Sequence, residues 1–131
     1  MSRIVYVNGE YAPEEAAKIS VFDRGFIFGD GVYEVVPVVA GKLVDRDYFL
    51  ERLDRSLSEL SITWPCSQRE YLDIIRGLIS RNKLEEGFVY SQVTRGIADR
   101  DFVFPADTAP SLVAFTSQMN LLNNPLAESG I

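Results

Sequence analysis

The sequence D-R-G-F-I-F-G-D-G-V-Y-E-V-V, residues 23–36, decides how the rest of the chain is arranged. Its first half is predicted to be a loop that holds three glycines, and glycine at this density marks backbone that adopts a positive φ or passes close to another group. The second half is typical of a β-strand, in which successive side chains point to opposite faces. Tyr33 and Val35 therefore share one face, and Glu34 lies on the other. We interpret the Tyr33 face as one wall of a small-molecule site.

The composition of the 131-residue chain, 47% apolar and 24% charged, is that of one globular domain. The net charge is −6 and no basic run stands out, which argues against nucleic acid and anionic membranes as partners. We find no signal peptide and no membrane-spanning stretch, so we expect a cytoplasmic protein. The chain has no histidine and one cysteine, Cys66. This excludes histidine-based nucleophile pairs, histidine metal sites and internal disulfides.

The hydrophobic pattern predicts an α+β fold, a mostly antiparallel sheet with two helices packed on one side. Asn8-Gly9 predicts a tight hairpin turn between the first two strands. Pro37 predicts that the strand after the glycine segment lies at a sheet edge or bends, because proline cannot donate to the ladder. Further strands are predicted at residues 88–95 and 111–117.

The two helices are predicted from leucine spacing and from capping residues. The first runs from residue 46 to about residue 62, with Asp45 as its N-cap. The second follows the capping box Ser67-Gln68-Arg69-Glu70 and ends near residue 82. We assign residues 1–117 to one N-terminal α+β domain. Residues 118–131 have no periodicity and are rich in Asn, Pro, Ser and Gly, so we interpret them as an inter-domain linker.

Taken one at a time, the candidate site residues also fit ordinary structural positions. A strand tyrosine such as Tyr33 is often half-buried core, and Arg52, beside a leucine stripe, is often a surface arginine. Arg100 between two aspartates fits a solvated loop charge. The glycine spacing matches neither the dinucleotide-binding nor the P-loop pattern. The order and spacing of several motifs, taken together, indicate function more specifically than any one of these residues does.

Three blocks of the sequence together resemble the fold-type IV (class IV) aminotransferases that depend on pyridoxal phosphate, and among them the D-amino-acid aminotransferase branch. The first block is R-G-x-x-x-G-D-G-V-Y-E-V-V, residues 24–36. The second, L-E-R-L-D-R-S at residues 50–56, is similar to the family's R-L-x-x-S helix. The third, Y-S-Q-V-T-R-G at residues 90–96, is similar to its Y-x-Q-V-T-R-G strand. The similarity covers roughly residues 4–117.

The resemblance implies roles for five residues. The family arginine that binds the phosphate of pyridoxal 5′-phosphate corresponds to Arg52, and planar guanidinium donors suit phosphate oxygens. The tyrosine that helps to hold the substrate carboxylate corresponds to Tyr33. Val35 and Tyr90 would line the side-chain pockets. Arg100 resembles the arginine that reaches into the neighbouring subunit's site to bind the carboxylate, which implies a homodimer.

The sequence departs from the family pattern in two ways. The D-amino-acid enzymes carry a histidine two residues after the loop arginine, where this chain has Phe102. The family lysine that binds the cofactor covalently lies on a second domain, and none of Lys18, Lys42 and Lys83 matches its motif. We therefore expect the chain to be the N-terminal domain of a larger enzyme, to hold no catalytic residue and to be inactive without the C-terminal domain.

The activity implied by the resemblance is transfer of an amino group between a D-amino acid and a 2-oxo acid, with pyridoxal 5′-phosphate as the electron sink. Two alternatives within the fold are a branched-chain aminotransferase and an aminodeoxychorismate lyase. A third alternative, of another class, is a binding or assembly module without chemistry. A second domain in the same reading frame would favour the enzyme over the module.

Overall fold

The structure, a computed structural model, describes residues 2–130 and is built on six β-strands. They are β1 Ile4–Val7, β2 Glu10–Pro13, β3 Gly31–Val39, β4 Lys42–Leu43, β5 Glu86–Thr94 and β6 Ser111–Gln118. The strands form one antiparallel sheet in the order β2-β1-β6-β5-β3-β4. Asn8 and Gly9 have φ of 45° and 102°, which confirms the turn predicted between β1 and β2.

In the described part of the chain four α-helices accompany the sheet: α1 Arg24–Phe28, α2 Arg46–Glu59, α3 Gln68–Arg81 and α4 Leu126–Ser129, with a 3₁₀ turn at Glu14–Ala16. The long helices α2 and α3 pack on one side of the sheet, where their apolar stripes meet alternate residues of the strands. The side chains that α2 and α3 bury are Phe49, Leu53, Leu57, Tyr71, Ile75, Leu78 and Ile79. The predicted α+β fold with two helices on one side is confirmed.

The alternation along β3 separates a buried face from an open face. Val36 and Val38 are 2% and 0% exposed and belong to the core beneath α2. Tyr33 is 63% exposed and points away from the helices, as the sequence pattern predicts. We call the sheet side turned away from α2 and α3 the open face. The outer neighbour β4 pairs only with Val38 and Val39, so the rest of β3 is a sheet edge.

Helix α1 was not predicted, because one turn is too short to show a hydrophobic period. Asp23 caps it by accepting a 2.8 Å hydrogen bond from the Gly25 amide, and Gly29 ends it with φ of 64°. A Cβ on Gly25 would lie 2.2 Å from Cγ2 of Thr94 on β5. Only glycine therefore allows α1 to lie this close to the sheet.

Helix α2 begins where it was predicted to begin but ends earlier. Asp45 occupies the N-cap position, as predicted, although its backbone is left-handed and its side chain makes no capping hydrogen bond. The helix ends at Glu59, three residues earlier than predicted, because Ser61 has φ of 53°. The capping residue predicted for α3 is confirmed, since Ser67 Oγ accepts a hydrogen bond from the Glu70 amide at 3.1 Å.

The segment after β6 is exposed along almost its whole length and contains the single turn α4. Its first residues are held by Glu86, whose carboxylate accepts hydrogen bonds from the amides of Leu121 and Leu122. Within residues 2–130 no helix is both long and apolar enough to cross a lipid bilayer.

Candidate functional site

Three aromatic rings form a stacked row across the open face. Tyr33 on β3 stacks on Tyr90 of β5, with 5.6 Å between ring centroids and 18° between planes. Tyr90 stacks in turn on Phe115 of β6 at 4.8 Å and 21°. Val35 lies directly opposite Tyr90 in the strand register. The structure thus brings Tyr33, Val35 and Tyr90 together on one surface.

The two tyrosine hydroxyls of this row differ in their hydrogen bonds. Tyr90 donates a 2.8 Å hydrogen bond to the side-chain oxygen of Gln92. Partial burial, together with the neighbouring phenol of Tyr33, raises the pKa of Tyr90, so this ring is neutral at physiological pH. The Tyr33 hydroxyl has no hydrogen-bond partner among residues 2–130. It is the hydroxyl of the row that is free to bind a ligand.

Arg52 lies on α2, where its side chain reaches the edge of β3 and contacts Glu34. Arg52 Nη2 donates a 2.7 Å hydrogen bond to Glu34 Oε2. The Glu34 side chain is 10% exposed and that of Arg52 is 62% exposed, so the carboxylate is buried and the guanidinium lies at the surface. The other guanidinium nitrogens make no hydrogen bond within the described part of the chain. Glu34 thus fixes one end of the guanidinium and leaves donors for an anion.

An open depression of about 360 Å³ lies between β3 and α2. Arg52 and Val35 both line it, and Val35 is also part of the aromatic surface around Tyr90. The rings of Tyr48 and Phe49 supply apolar walls, while Asp45 adds a carboxylate at the rim. A phosphate group fits the free donors of Arg52, and a flat aromatic ring fits the walls. These residues suit the cofactor that the sequence implies.

Arg100 lies outside this surface, in the loop between β5 and β6. Its guanidinium carbon is 5.4 Å from the ring centroid of Phe28 and 5.0 Å from that of Phe102. Phe102 therefore holds the arginine by a cation–π contact. Within residues 2–130 Arg100 makes no hydrogen bond or ion pair with Tyr33, Val35 or Arg52. The structure of one chain does not bring Arg100 to the other candidate residues.

The three lysines are all exposed, as predicted. An exposed ammonium stays protonated and is a poor nucleophile. Among the residues described, the structure contains no group of three or more metal-ligating carboxylates or thiols.

A buried ion cluster at the start of β3 and the end of β5 was not predicted from the sequence. Both oxygens of Asp30 are engaged: Oδ2 accepts 2.8 Å hydrogen bonds from Nε of Arg24 and of Arg95, and Oδ1 accepts one of 3.2 Å from Arg95. The side chains of Arg24, Asp30 and Arg95 are 3%, 10% and 9% exposed. We call these three residues the Asp30 cluster. Burial alone raises the pKa of Asp30, but the bonds from both guanidiniums outweigh it and lower that pKa below its ordinary value.

The sequence contains signals for two acidic residues whose ion pairs were not predicted, Glu34 and Asp30. Glu34 shares a strand face with Val36, so period-two alternation alone places a carboxylate on the buried side, where it requires a partner. Asp30 lies between two glycines, and the close backbone approach that glycine marks leaves little room for water around it. Neither signal identifies which arginine is the partner.

Comparison with known proteins shows which family this chain belongs to. The model of the amino-transferase class IV family matches residues 31–128. A D-alanine aminotransferase of Staphylococcus aureus is 39% identical over 113 residues, which are 86% of this chain and 40% of that protein. An aminodeoxychorismate lyase of Bacillus subtilis is 33% identical over 129 residues, 97% of this chain and 44% of that protein. The chain spans less than half the length of these relatives.

Solved structures share the fold at low sequence identity. The branched-chain aminotransferase of Escherichia coli superposes with a TM-score of 0.85 over 97% of this chain and 43% of that chain, at 18% identity. A branched-chain aminotransferase solved with pyridoxamine 5′-phosphate has a TM-score of 0.79 at 18% identity, over 95% of this chain and 42% of that chain.

Proposed function

Because the chain belongs to the amino-transferase class IV family, we propose that it is the N-terminal domain of an aminotransferase that uses pyridoxal 5′-phosphate. The reaction would transfer an amino group between a D-amino acid and a 2-oxo acid. The observation that carries this proposal is the position of Val35, which adjoins both the aromatic surface of the open face and the depression beside Arg52. A cofactor held at Arg52 would then lie next to a substrate held at Tyr33.

Arg52 is the residue proposed to hold the cofactor phosphate. The bond to Glu34 restricts the rotamers of a long side chain before any ligand arrives, which lowers the entropic cost of binding. When bound, pyridoxal 5′-phosphate supplies an electron sink for the charge that develops on the substrate α-carbon. The covalent lysine and the partner of the pyridine nitrogen are assigned to a C-terminal domain in the complete protein.

Tyr33 is the residue proposed to hold the substrate carboxylate. Its hydroxyl is free of partners in the described chain, and its stacking on Tyr90 fixes the ring in the plane of the aromatic row. An O–H donor to a carboxylate makes a charge-assisted hydrogen bond, which is stronger than a neutral one. Val35 and Tyr90 are proposed to form the apolar wall against the substrate side chain.

Arg100 is proposed to bind the same carboxylate in a second copy of the chain. This role requires a homodimer, since Arg100 and Tyr33 are not in contact within one chain. Phe102 adds an apolar ring where the D-amino-acid enzymes have a histidine, so the carboxylate site has one donor fewer. We expect a substrate whose binding depends more on apolar contact than on a second hydrogen bond.

One further candidate function is supported by a specific comparison. The Bacillus subtilis relative, at 33% identity over 97% of this chain, supports an aminodeoxychorismate lyase. The match to a branched-chain aminotransferase, at 18% identity, indicates architecture alone, so that activity stays an alternative from the sequence resemblance. The Staphylococcus aureus relative at 39% identity favours the D-amino-acid reaction over both. A binding module without chemistry remains the alternative of another class.

The deciding experiment uses the protein expressed from its complete reading frame. Its transamination rate with D-alanine is compared with its rate with L-leucine, and release of pyruvate from aminodeoxychorismate is measured in parallel. We expect kcat/KM to be highest for the D-amino acid. A higher value for L-leucine or for the lyase reaction would replace the proposed substrate, and no turnover of any of the three would favour the binding module.

A further inference from the structure

The Asp30 cluster lies at the base of the loop that carries Arg100. We propose that this cluster positions Arg100 for substrate binding, so that Arg24, Asp30 and Arg95 are positioning residues for the reaction. The proposal rests on the carboxylate-binding role proposed above for Arg100. We call residues 99–105 the Arg100 loop.

One hydrogen bond attaches the Arg100 loop to the rest of the domain. Arg24 Nη1 donates to the carbonyl oxygen of Asp101 at 2.7 Å. Within residues 2–130 no other hydrogen bond joins the loop to residues outside it. Asp101 follows Arg100 directly in the chain, so the backbone position of Arg100 depends on where Arg24 lies.

Arg24 is in turn fixed by Asp30, which Arg95 holds from the other side. The cluster contains two cations and one anion, so one positive charge is not balanced by a carboxylate within it. Carbonyl oxygens solvate this excess charge: Leu60 and Ser61 accept from Arg95 at 2.8 Å and 3.2 Å, and Asp101 accepts from Arg24. A guanidinium that is 3% exposed is destabilised if it loses an acceptor, because water cannot replace it. The buried charge therefore stabilises the attached position of the loop.

Aromatic rings connect the cluster to the guanidinium of Arg100 and to the loop that carries it. The Phe104 ring lies 4.0 Å from the guanidinium carbon of Arg95. The Phe28 ring lies 4.7 Å from that of Arg24 and 5.4 Å from that of Arg100. Phe28 and Phe102 are themselves 5.8 Å apart. The loop is thus held at Asp101, at Phe102 and at Phe104, the residues that flank Arg100 on its C-terminal side.

The attachment can be tested on the 131-residue chain by native-state proteolysis. Chymotrypsin cleavage after Phe102, identified by mass spectrometry, reports opening of the loop, and cleavage after Tyr48 in α2 serves as the internal control. We expect Arg24→Lys, which keeps the charge but loses the forked donors, to accelerate cleavage after Phe102 about tenfold. Phe104→Leu should accelerate it less, and Glu14→Gln, which breaks the exposed pair with Arg3, should leave it unchanged. Unchanged cleavage in both Arg24→Lys and Phe104→Leu would overturn the positioning role.

The functional part is tested in the complete protein by a double-mutant cycle. Arg24→Lys should raise the KM for the amino acid about fivefold to tenfold and change kcat less than twofold, if it acts through Arg100. In an Arg100→Ala background the same substitution should have no further effect on KM, because the group it positions is gone. Additive effects would overturn the proposal and leave a general structural role. If Arg100→Ala alone leaves KM unchanged, the proposed role of Arg100 fails, and with it substrate positioning, while loop cleavage still shows whether the cluster holds the loop.

Discussion

Glu34 and Arg52 form an ion pair whose two members differ in environment: the carboxylate side chain is 10% exposed and the guanidinium side chain 62% exposed. The pair therefore has two effects. Arg52 satisfies a carboxylate that β3 places against the buried side of the sheet, and Glu34 orients a cation at the surface. The two members are not equivalent, and their removal has different consequences.

Removal of Arg52 is expected to cost more stability than removal of Glu34. Arg52→Gln leaves a buried carboxylate without its cation, which destabilises the fold by about 1–3 kcal/mol. Glu34→Gln leaves an exposed guanidinium that water solvates, so the loss is below about 1 kcal/mol. Urea unfolding of the two variants measures the difference. Equal losses, or a larger one for Glu34→Gln, would contradict this assignment.

Cofactor affinity of the complete protein is expected to depend on Arg52 and not on its neighbour Arg55. Arg52→Gln removes the proposed phosphate donors and should weaken binding of pyridoxal 5′-phosphate by about tenfold or more. Arg55 is exposed one turn further along α2 and provides a matched loss of charge. Binding is followed by the change in cofactor absorbance. Equal weakening in Arg55→Gln would show a general charge effect.

Tyr33→Phe is expected to raise the KM for the amino acid about tenfold in the complete protein, because the phenyl ring keeps the stacking and loses the hydroxyl. Tyr11→Phe is the matched control, since it removes a hydroxyl that donates to the carbonyl of Ile74, away from the open face. Steady-state kinetics with D-alanine measure both. A KM within twofold of the wild-type value for Tyr33→Phe argues against the proposed carboxylate contact.

The Asp30 cluster is expected to make stability dependent on acid pH. The pKa of Asp30 in the folded chain is lowered from its ordinary value of 3.8, so its ion pairs contribute fully above that pH. Below 3.8 the unfolded chain binds a proton at this position while the folded chain resists it, so the contribution is lost as the pH falls from 3.8 through the lowered pKa.

Urea unfolding of wild type and Asp30→Asn between pH 3 and pH 7 tests this dependence. The stability difference should be constant near neutral pH and shrink below about pH 4. If Asp30→Asn does not fold, NMR titration of the Asp30 carboxyl in the wild-type chain gives its pKa directly. Glu14→Gln serves as the exposed control. A carboxyl that titrates at or above its ordinary value would contradict the geometry of the cluster.

The 131-residue chain alone is expected to show no specific absorbance band with pyridoxal 5′-phosphate, since its lysines are exposed. Titration of the chain with the cofactor, with free lysine as the reference, measures this. A stoichiometric band that disappears when a single lysine is replaced by arginine would contradict the assignment of the covalent lysine to another domain.

The sequence predicts most of this fold because the relevant patterns are local. Alternation in β3 is sufficient to place Tyr33 and Val35 on one face, and leucine spacing is sufficient to find α2. Helix α1 was not predicted, because it depends on packing against Thr94. The position of Asp45 at the N-cap was predicted, but its left-handed backbone and the absence of a side-chain capping hydrogen bond were not.

The candidate site was only partly predictable, because local sequence patterns do not encode contacts between distant positions. The residues that contact a ligand were assigned from motif resemblance, and their roles stay predictions. The residues that hold them were missed: the bond between Asp30 and Arg95 joins positions 65 apart in the chain, and no local pattern encodes such a contact. Long-range ion pairs are visible only once the strands are in register.

Strand β3 sends one set of alternate side chains into the interior and the other toward the open face. If Tyr33 and Val35 contact the substrate as proposed, a change at either position alters what is recognised while the residues at 36 and 38 continue to pack as before. In a gene family, such a strand allows new substrates to evolve through single replacements that the scaffold tolerates. Divergence among related enzymes would then concentrate at odd-numbered positions of this one segment.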